Sequence, residues 1–403
     1  MLRKIIFLTL FILLLTDSCL AFSKREKLKS PAIDISAAQI KFSFKLINEI
    51  SRNDPDANLF ISPLSIQLAL AMVLNGTDTD TFTEIQRTLE LEDYPLPDIN
   101  ASYQELSYLI SELDPEVKIE IANSIWYQED FQILPSYVQK MKTHYRAAVS
   151  GIDFNSPQAV EQINNWVAKN THEKIRKIIE PPLLPTSIAF IINAVYFNGT
   201  WETEFDRKKT HPENFLLQSG EHLLVPMMKR EDDFSYFENE FFQAVELNYG
   251  NGSFSTIIFL PKPDQDLNTI LKLLTLENWI TWKANFITTK GFLQIPKLKL
   301  EYDIILNDIL KSLGMRSAFD INSADFSRIS SQDKLAIDEV IHKTYVDINE
   351  EGTEAAAVTS VGLKAVSIPK PGFIMKVDHP YLLIIKNDAN ILFIGKILEP
   401  KYE

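Results

Sequence analysis

The stretch that decides the fold lies near the carboxyl end of the chain and reads Glu350-Glu351-Gly352-Thr353-Glu354-Ala355-Ala356-Ala357-Val358-Thr359. Treated as a β-strand with a period of two residues, it places Thr353, Ala355 and every second residue after them on one face. A strand whose inward face carries only alanine and threonine can enter a narrow gap between existing strands. Gly352 supplies the backbone freedom for such a movement. The stretch therefore predicts a segment that can add itself to a sheet.

The surroundings of this stretch favour a strand-forming loop over a helix. Alanine-rich runs also form helices, so composition alone does not decide between the two. Prolines at 369 and 371 close the segment, and two apolar runs, 381–385 and 391–397, follow as a predicted terminal hairpin. The stretch is thus expected at the start of an exposed loop that leads into the last strands.

Size and charge restrict the class of protein. The chain has 403 residues, of which 45% are hydrophobic, and this is enough for one unusually large domain with a sizeable core. The formal net charge of −14 disfavours nucleic acid and anionic membrane surfaces as partners. No repeat and no interdomain linker is visible.

The amino-terminal residues form a separate module. Arg3 and Lys4 precede an apolar run, 5–15, that is too short to span a bilayer. Residues 1–21 are therefore expected to be a secretory signal peptide that is cut after Ala21. The protein would then be secreted or, in a bacterium, periplasmic or surface-bound. Lipid modification of Cys19, the only cysteine, is the alternative. Residues 22–32 are expected to be a flexible tail.

The rest of the chain, 33–403, is predicted to form one α+β domain with large sheets, because helical patterns dominate its first half and strand patterns its second. The predicted helices are 33–51, 64–74, 79–89, 103–113, 157–170 and 302–313. The predicted strands are 58–61, 188–197, 241–247, 254–260, 293–300, 336–349, 381–385 and 391–397.

Several short motifs, in order along the chain, resemble the serpins, a family of protease inhibitors whose reactive loop inserts into their own sheet. The motifs are NLFISPLS (58–65), NGT (75–77) with TEI (83–85), NAVYFNGTW (193–201), VPMMK (225–229), FLP (259–261) and VDHPYL (377–382). Tyr381 stands where the family usually has phenylalanine, which is a conservative departure. The resemblance runs from about residue 33 to residue 402 and implies a fold of about nine helices, three β-sheets and an exposed reactive-centre loop at about 350–371.

The resemblance also implies an activity. Residues 350–359 correspond to the hinge of the reactive loop, and the family's loop length puts the scissile bond between Val366 and Ser367. The context Lys364 to Pro369 is similar to the reactive centre of the antitrypsin branch. The chain is then not an enzyme but a suicide-substrate inhibitor, which is cleaved at Val366 and inserts its loop. Valine fits the shallow S1 pocket of an elastase-like protease, with subtilisin-like or chymotrypsin-like enzymes as alternatives.

The resemblance also assigns two further groups of residues, which no other feature of the sequence selects. Ser62, Ser65, Asn193 and His342 match the buried shutter under the point where the sheet opens. Trp201 and Lys297 match the breach at the top of the sheet, where Lys297 would pair with Glu350.

Plainer interpretations compete with both assignments. A hydrolase built on serine and His342 would explain the first group, but no G-x-S-x-G motif supports it. The same four residues would also be compatible with unconnected polar side chains in the core. Glu350 would, on this interpretation, be an ordinary exposed carboxylate that does not pair with Lys297.

No cofactor, metal site or phosphate loop is expected, because the histidines are scattered and His172-Glu173 lacks the second histidine of H-E-x-x-H. Heparin activation is not expected either, since residues 103–117 contain no lysine or arginine. The expected partner is a serine protease, and the expected state is a monomer that polymerises when destabilised. A non-inhibitory serpin that acts as carrier, chaperone or storage protein is the rival function, and an inhibitor of cysteine proteases is a variant of the first.

The assigned scissile bond gives a first testable prediction. Val366→Arg should transfer inhibition from elastase-like to trypsin-like proteases, because the arginine cation gains a carboxylate partner at the base of the S1 pocket. Mass spectrometry of the released carboxyl-terminal peptide should find Ser367 as its first residue. A peptide that begins more than about two residues away would show that the register of the loop is wrong.

Overall fold

The computed structural model describes residues 33–183, 189–331, 334–353 and 372–402. The expected signal peptide, the tail at 22–32, the hinge residues from Glu354 to Thr359 and the bond between Val366 and Ser367 lie outside these ranges. Of the hinge, the structure describes Glu350, Glu351, Gly352 and Thr353.

The helices lie mostly in the first half of the chain, as predicted. The described ranges contain nine α-helices: α1 (Ser36–Asn53), α2 (Pro63–Leu74), α3 (Thr79–Thr88), α4 (Leu96–Glu112), α5 (Pro135–Tyr145), α6 (Ala159–Asn170), α7 (Leu267–Leu273), α8 (Leu276–Ala284) and α9 (Asn307–Ser312). Pro63 occupies the first turn of α2, where a main-chain N–H would have no helical acceptor, so the proline costs no hydrogen bond. Helix α4 begins seven residues before the predicted start at 103, because Pro95 is compatible with its N-cap position and Pro97 with its first turn.

The smaller of two hydrogen-bonded sheets has six strands: β2 (Val117–Gln128), β3 (Ala148–Ile152), β4 (Ala189–Thr200), β10 (Leu298–Ile305), β11 (Val340–Ile348) and β12 (Gly352–Thr353). Their order across the sheet is β10-β11-β12-β4-β2-β3. Strand β4 is buried along most of its length, as the predicted strand at 188–197 requires.

The larger sheet has nine strands: β1 (Leu59–Ile61), β5 (His211–Leu216), β6 (His222–Glu238), β7 (Phe242–Tyr249), β8 (Phe254–Pro261), β9 (Ile287–Pro296), β13 (Phe373–Lys376), β14 (Tyr381–Asn387) and β15 (Ile391–Ile397). Strand β6 pairs with β5 through its first half and with β7 through its last residues. The α+β class is confirmed. Three sheets were expected. In the described residues, two of them form this single nine-stranded sheet, because the long strand β6 pairs with strands of both.

One predicted element is wrong. The helix predicted over 302–313 is helical only over Asn307–Ser312, because residues 302–305 belong to β10. Along β10, Leu298, Leu300 and Tyr302 alternate with exposed charged residues, and each pairs with β11. This period of two residues is that of a strand with one buried face. Pro296 ends β9, so the predicted strand at 293–300 is two strands that meet at Lys297.

The core lies between the two sheets, and helix α2 contacts both β4 of the smaller sheet and β15 of the larger one. Every residue of α2 is buried, which explains why its sequence is apolar without a polar face. Within the described ranges, no helix combines the length and apolarity needed to cross a membrane.

Strands β4 and β11 of the smaller sheet are joined over only part of their length. They run parallel and pair from Val340 with Ile191 to Thr344 with Val195. Above these five pairs the strands part, and at the top β12 lies between them. We call the gap between β4 and β11 the slot, and β12 occupies its upper end.

Candidate functional site

The hinge enters the slot at Gly352. This residue pairs with Thr200 of β4 and has φ 148°, a conformation that residues with a side chain rarely adopt. A Cβ atom at this position would clash with the carbonyl oxygen of Gly199. Glycine is therefore required by both the backbone and the space, as the sequence indicated.

Thr353 fills a polar position inside the sheet. It pairs with Gly199 of β4 and Ile348 of β11, and none of its surface is exposed to solvent. Its hydroxyl is 2.7 Å from the hydroxyl of Tyr249, which lies 2.7 Å from the hydroxyl of Thr256. Burial raises the pKa of Tyr249 well above its ordinary value, so the phenol stays protonated. The first inward residue of the hinge is thus already bound in the sheet.

The structure brings Glu350 and Lys297 together in a largely buried ion pair. Their charged atoms are 2.9 Å apart, and 7% and 16% of the two side chains are exposed. Burial acts to raise the pKa of the Glu350 carboxyl, but the hydrogen bond from Lys297 acts to lower it, and the pKa lies below its ordinary value. The ammonium group of Lys297 also lies 4.0 Å from the ring centroid of Tyr402.

Trp201 fixes the main chain of the hinge from the β4 side. Its ring N–H donates to the carbonyl of Asn349, and its main-chain N–H donates to the carbonyl of Glu351. The indole stacks on Tyr249, with ring centroids 4.4 Å apart and planes 13° from parallel. The Glu351 carboxylate pairs with Arg207, a residue that no sequence pattern selects.

The four residues assigned to the shutter also lie together. The Nε2 atom of His342 accepts the main-chain N–H of Ser62 at 3.0 Å, and its Nδ1 atom lies 3.2 Å from the Oδ1 atom of Asn193. The Ser65 hydroxyl donates to the same Asn193 oxygen. His342 and Asn193 face each other as a register pair of β11 and β4, so the cluster joins the strands at the closed part of the slot.

The geometry of His342 does not suit a serine hydrolase. One ring nitrogen is occupied by a main-chain N–H and the other by an amide, whereas a hydrolase needs a serine hydroxyl and an orienting acid at these positions. The imidazole is 1% exposed. Burial lowers its pKa to about 3, so it is neutral, with its proton on Nδ1.

The cluster extends to residues that the sequence did not select. The side-chain amide of Asn193 donates to Asn123 of β2 at 2.8 Å. The hydroxyl of Thr344 donates to the carbonyl of Phe60 in β1. These contacts join residues up to 284 positions apart in the chain, and no local pattern marks them. Among the described residues, no group of three metal-ligating side chains is present.

Comparisons with known proteins cover nearly the whole described chain. The family model Serpin (serine protease inhibitor) matches residues 37–400. The leukocyte elastase inhibitor of Xenopus laevis is 33% identical over 379 residues, which are 91% of this chain and 100% of the relative. A serpin-like protein of Thermococcus kodakarensis is 34% identical over 372 residues, 89% of this chain and 84% of the relative.

Solved structures give the same result. The thermophilic serpin tengpin in its native state superposes with a TM-score of 0.83 at 33% identity, over 91% of this chain and 94% of tengpin. Human thyroxine-binding globulin in complex with thyroxine superposes with a TM-score of 0.85 at 27% identity, over 93% of this chain and 100% of the globulin.

The buried histidine gives a prediction on pH. His342 is neutral in the folded protein down to about pH 3 but titrates at its ordinary value of 6.5 when unfolded. Its contribution to stability is therefore complete above pH 6.5 and falls as the pH drops toward 3, by up to about 1.4 kcal/mol per pH unit. His342→Ala should lower Tm at pH 7, since Ser62 and Asn193 lose a buried partner, and should flatten the fall of Tm between pH 7 and pH 5.

The control for this measurement is His222→Ala, which removes an exposed histidine. This variant should keep both the Tm and the pH dependence of the wild type. A His342→Ala protein whose Tm falls with pH as steeply as that of the wild type would contradict the assignment.

Proposed function

Because this chain belongs to the serpin family, we propose that it is a secreted suicide-substrate inhibitor of serine proteases of the elastase type. The observation that carries the proposal is the position of Gly352 and Thr353, which pair with β4 on one side, while Thr353 also pairs with β11 on the other. The hinge thus begins as a strand in the middle of the sheet, and cleavage of the loop would free the residues that follow to continue it.

Continuing the register of β12 supports insertion along the whole slot. In that register Ala355 would lie between Phe197 and Val346, and Ala357 between Val195 and Thr344. Thr359 would lie between Asn193 and His342 and separate that register pair. Each of these inward residues is small, so its side chain would need little space between β4 and β11.

The proposed reaction begins as ordinary proteolysis. The protease serine attacks the carbonyl carbon of Val366, the bond to Ser367 breaks, and an acyl-enzyme forms. Insertion of residues 353–366 would then span about 46 Å at about 3.3 Å per residue and carry the protease to the opposite end of the molecule. Inhibition requires that insertion is faster than hydrolysis of the acyl bond. The uncut form is therefore held kinetically, above the inserted form in free energy.

Two details of the proposal rest on the sequence and the relatives. Valine at 366 and the likeness to leukocyte elastase inhibitors both favour an elastase-type target. The apolar run behind Arg3 and Lys4 favours secretion.

A carrier function is the second candidate, because human thyroxine-binding globulin has the same fold and binds thyroxine. Similarity of fold does not separate the two functions, but the inward face of the hinge does. A carrier has no need of a strand that fits the slot, whereas this chain has the small residues Thr353, Ala355 and Ala357 on the inward face of the hinge.

Incubation with elastases, trypsin, chymotrypsin and subtilisin tests the choice between the two functions. An inhibitor should give a complex with an elastase-type enzyme that survives SDS.

The hinge gives a sharper prediction. Thr353→Arg should turn the inhibitor into a substrate. A cation in the fully buried position that Thr353 already occupies has a large desolvation cost, so the hinge should leave the slot, and insertion would then have to bury the charge and would be slower. The variant should be cut at the same bond, and the protease should be released active. Gel electrophoresis in SDS measures the trapped fraction.

The matched control is Glu354→Arg, which places the same cation on the next residue, where the strand alternation points it outward. This variant should trap protease as the wild type does. A Thr353→Arg protein that traps protease equally well would contradict insertion at the hinge.

A further inference from the structure

The chain contains three pairs of asparagine followed by glycine: Asn75-Gly76, Asn198-Gly199 and Asn251-Gly252. The main-chain nitrogen of such a glycine can attack the side-chain amide of the asparagine, because glycine has no side chain to obstruct the approach. The attack closes a five-membered ring and releases ammonia. Which of the three pairs can react depends on how firmly the fold holds the asparagine side chain and the main chain that follows it.

Two of the pairs are held inside the fold. The side-chain amide of Asn75 donates to the carbonyl of Ala71 at 2.9 Å and exchanges two hydrogen bonds with the side chain of Asn100. None of Asn75 is exposed to solvent. Asn198 and Gly199 stand in β4, which is paired with β2 on one side and with β12 on the other. These ladders hold the main chain extended, and ring closure would require it to rotate out of that conformation.

The third pair lies at the tip of the hairpin that joins β7 to β8, and both Asn251 and Gly252 are exposed. A Cβ atom on Gly252 would meet no atom closer than the side-chain nitrogen of Asn248, at 3.7 Å, so the turn is open around the glycine. The N–H of Gly252 donates to the carbonyl of Tyr249 at 2.8 Å. Ring closure must break this turn bond, which costs little at the exposed end of a hairpin.

The side chain of Asn251 is held in the turn by its oxygen. The main-chain N–H of Ser253 donates to Oδ1 of Asn251 at 2.9 Å. This oxygen takes up negative charge when a nitrogen adds to Cγ, and an N–H group that is already in place stabilises that charge, as in an oxyanion hole. The side-chain nitrogen, which would leave, donates to the carbonyl of Leu113 at 3.2 Å. The amide is thus both accessible and polarised.

We propose that Asn251 is a site of spontaneous deamidation, at which the nitrogen of Gly252 displaces the side-chain amide. The bond between this nitrogen and Cγ of Asn251 forms, the bond between Cγ and Nδ2 breaks, and the amide leaves as ammonia together with the proton of the glycine nitrogen. Water then opens the cyclic imide at either carbonyl and leaves aspartate or isoaspartate at position 251. The reaction needs only water and does not depend on the proposed inhibition.

The product would place a second carboxylate beside a buried one. Asp114, of which 2% is exposed, accepts the main-chain N–H of Asn251 at 2.8 Å and that of Glu116 at 2.9 Å. A negative charge at 251 would be repelled by this carboxylate, and it could no longer donate to the carbonyl of Leu113. Deamidation should therefore weaken the contact between the hairpin and the segment that follows helix α4.

The same hairpin supports the hinge. Tyr249, the last residue of β7, carries the hydroxyl that contacts Thr353. The next residue, Gly250, donates its N–H to the carbonyl of Thr200 in β4 at 2.9 Å, and a Cβ atom on it would clash with the carboxylate of Asp114. The turn, Asp114 and β4 are thus in close contact, and a disturbance at 251 should reach the residue that holds Thr353. Aged protein should be less stable than fresh protein.

Mass spectrometry of aged protein tests the site. Folded protein is kept in mildly alkaline buffer until a synthetic peptide of residues 248–255 is fully converted, and its digest is then searched for aspartate and isoaspartate. Asn251 should be converted, whereas Asn75 and Asn198 should react at least about tenfold more slowly, since each must first lose hydrogen bonds inside the fold. An unmodified Asn251, or conversion of all three asparagines at one rate, would overturn the proposal.

Two sets of variants complete the test. Asn251→Gln would need a larger ring for the same attack, so this variant should stay unmodified at position 251, and conversion at the wild-type rate would overturn the mechanism. Asn251→Asp should lower the Tm of intact protein by roughly 1–3 °C, and by less in an Asp114→Asn background, where the repulsion is absent. An equal loss in both backgrounds would overturn the role given to Asp114. Trapping of protease by fresh protein tests the proposed function separately.

Discussion

The behaviour proposed for this protein depends on one incomplete ladder of main-chain hydrogen bonds. Strands β4 and β11 pair directly over five residues and then separate, and at the top of the gap β12 lies between them and pairs with both. A strand that continued β12 down the gap would form ladders of main-chain hydrogen bonds with both neighbours. The hinge, with Gly352 and Thr353 already in place, is the nearest such strand.

Side-chain contacts surround the slot at three levels, from the top to the part where β4 and β11 pair. At the top, Tyr249 and the pair of Lys297 with Glu350 hold the start of the hinge. In the middle, His172 and Lys174, in the segment after helix α6, contact Tyr196 of β4 and Tyr345 of β11. Below it, His342 and Asn193 join the strands by side chains as well as main chains. A strand that continued β12 into the slot would reach the middle contacts before the lower ones.

Much of this arrangement could be predicted from the sequence, and the reason is that its parts are local. The hinge is recognisable from ten consecutive residues, and Ser62, Ser65 and Asn193 stand within short motifs. Sequence reasoning missed a second set of residues, because each acts on a partner that only the register of distant strands brings near: Tyr249, Asn123, Arg207, His172 and Lys174. The helix predicted over 302–313 is too long at its start, because residues 302–305 alternate with the period of two residues of strand β10.

The melting of intact and nicked protein is the most direct test of the central claim, that the slot accepts the loop. A protease that cuts after Val366 without being trapped would free the loop, and the two forms can then be compared in one thermal scan. Filling the slot adds a full strand that pairs with both β4 and β11, so the nicked form should melt at a much higher temperature than the intact form. Equal melting temperatures would contradict the account, because the loop would then have been cut without entering the sheet.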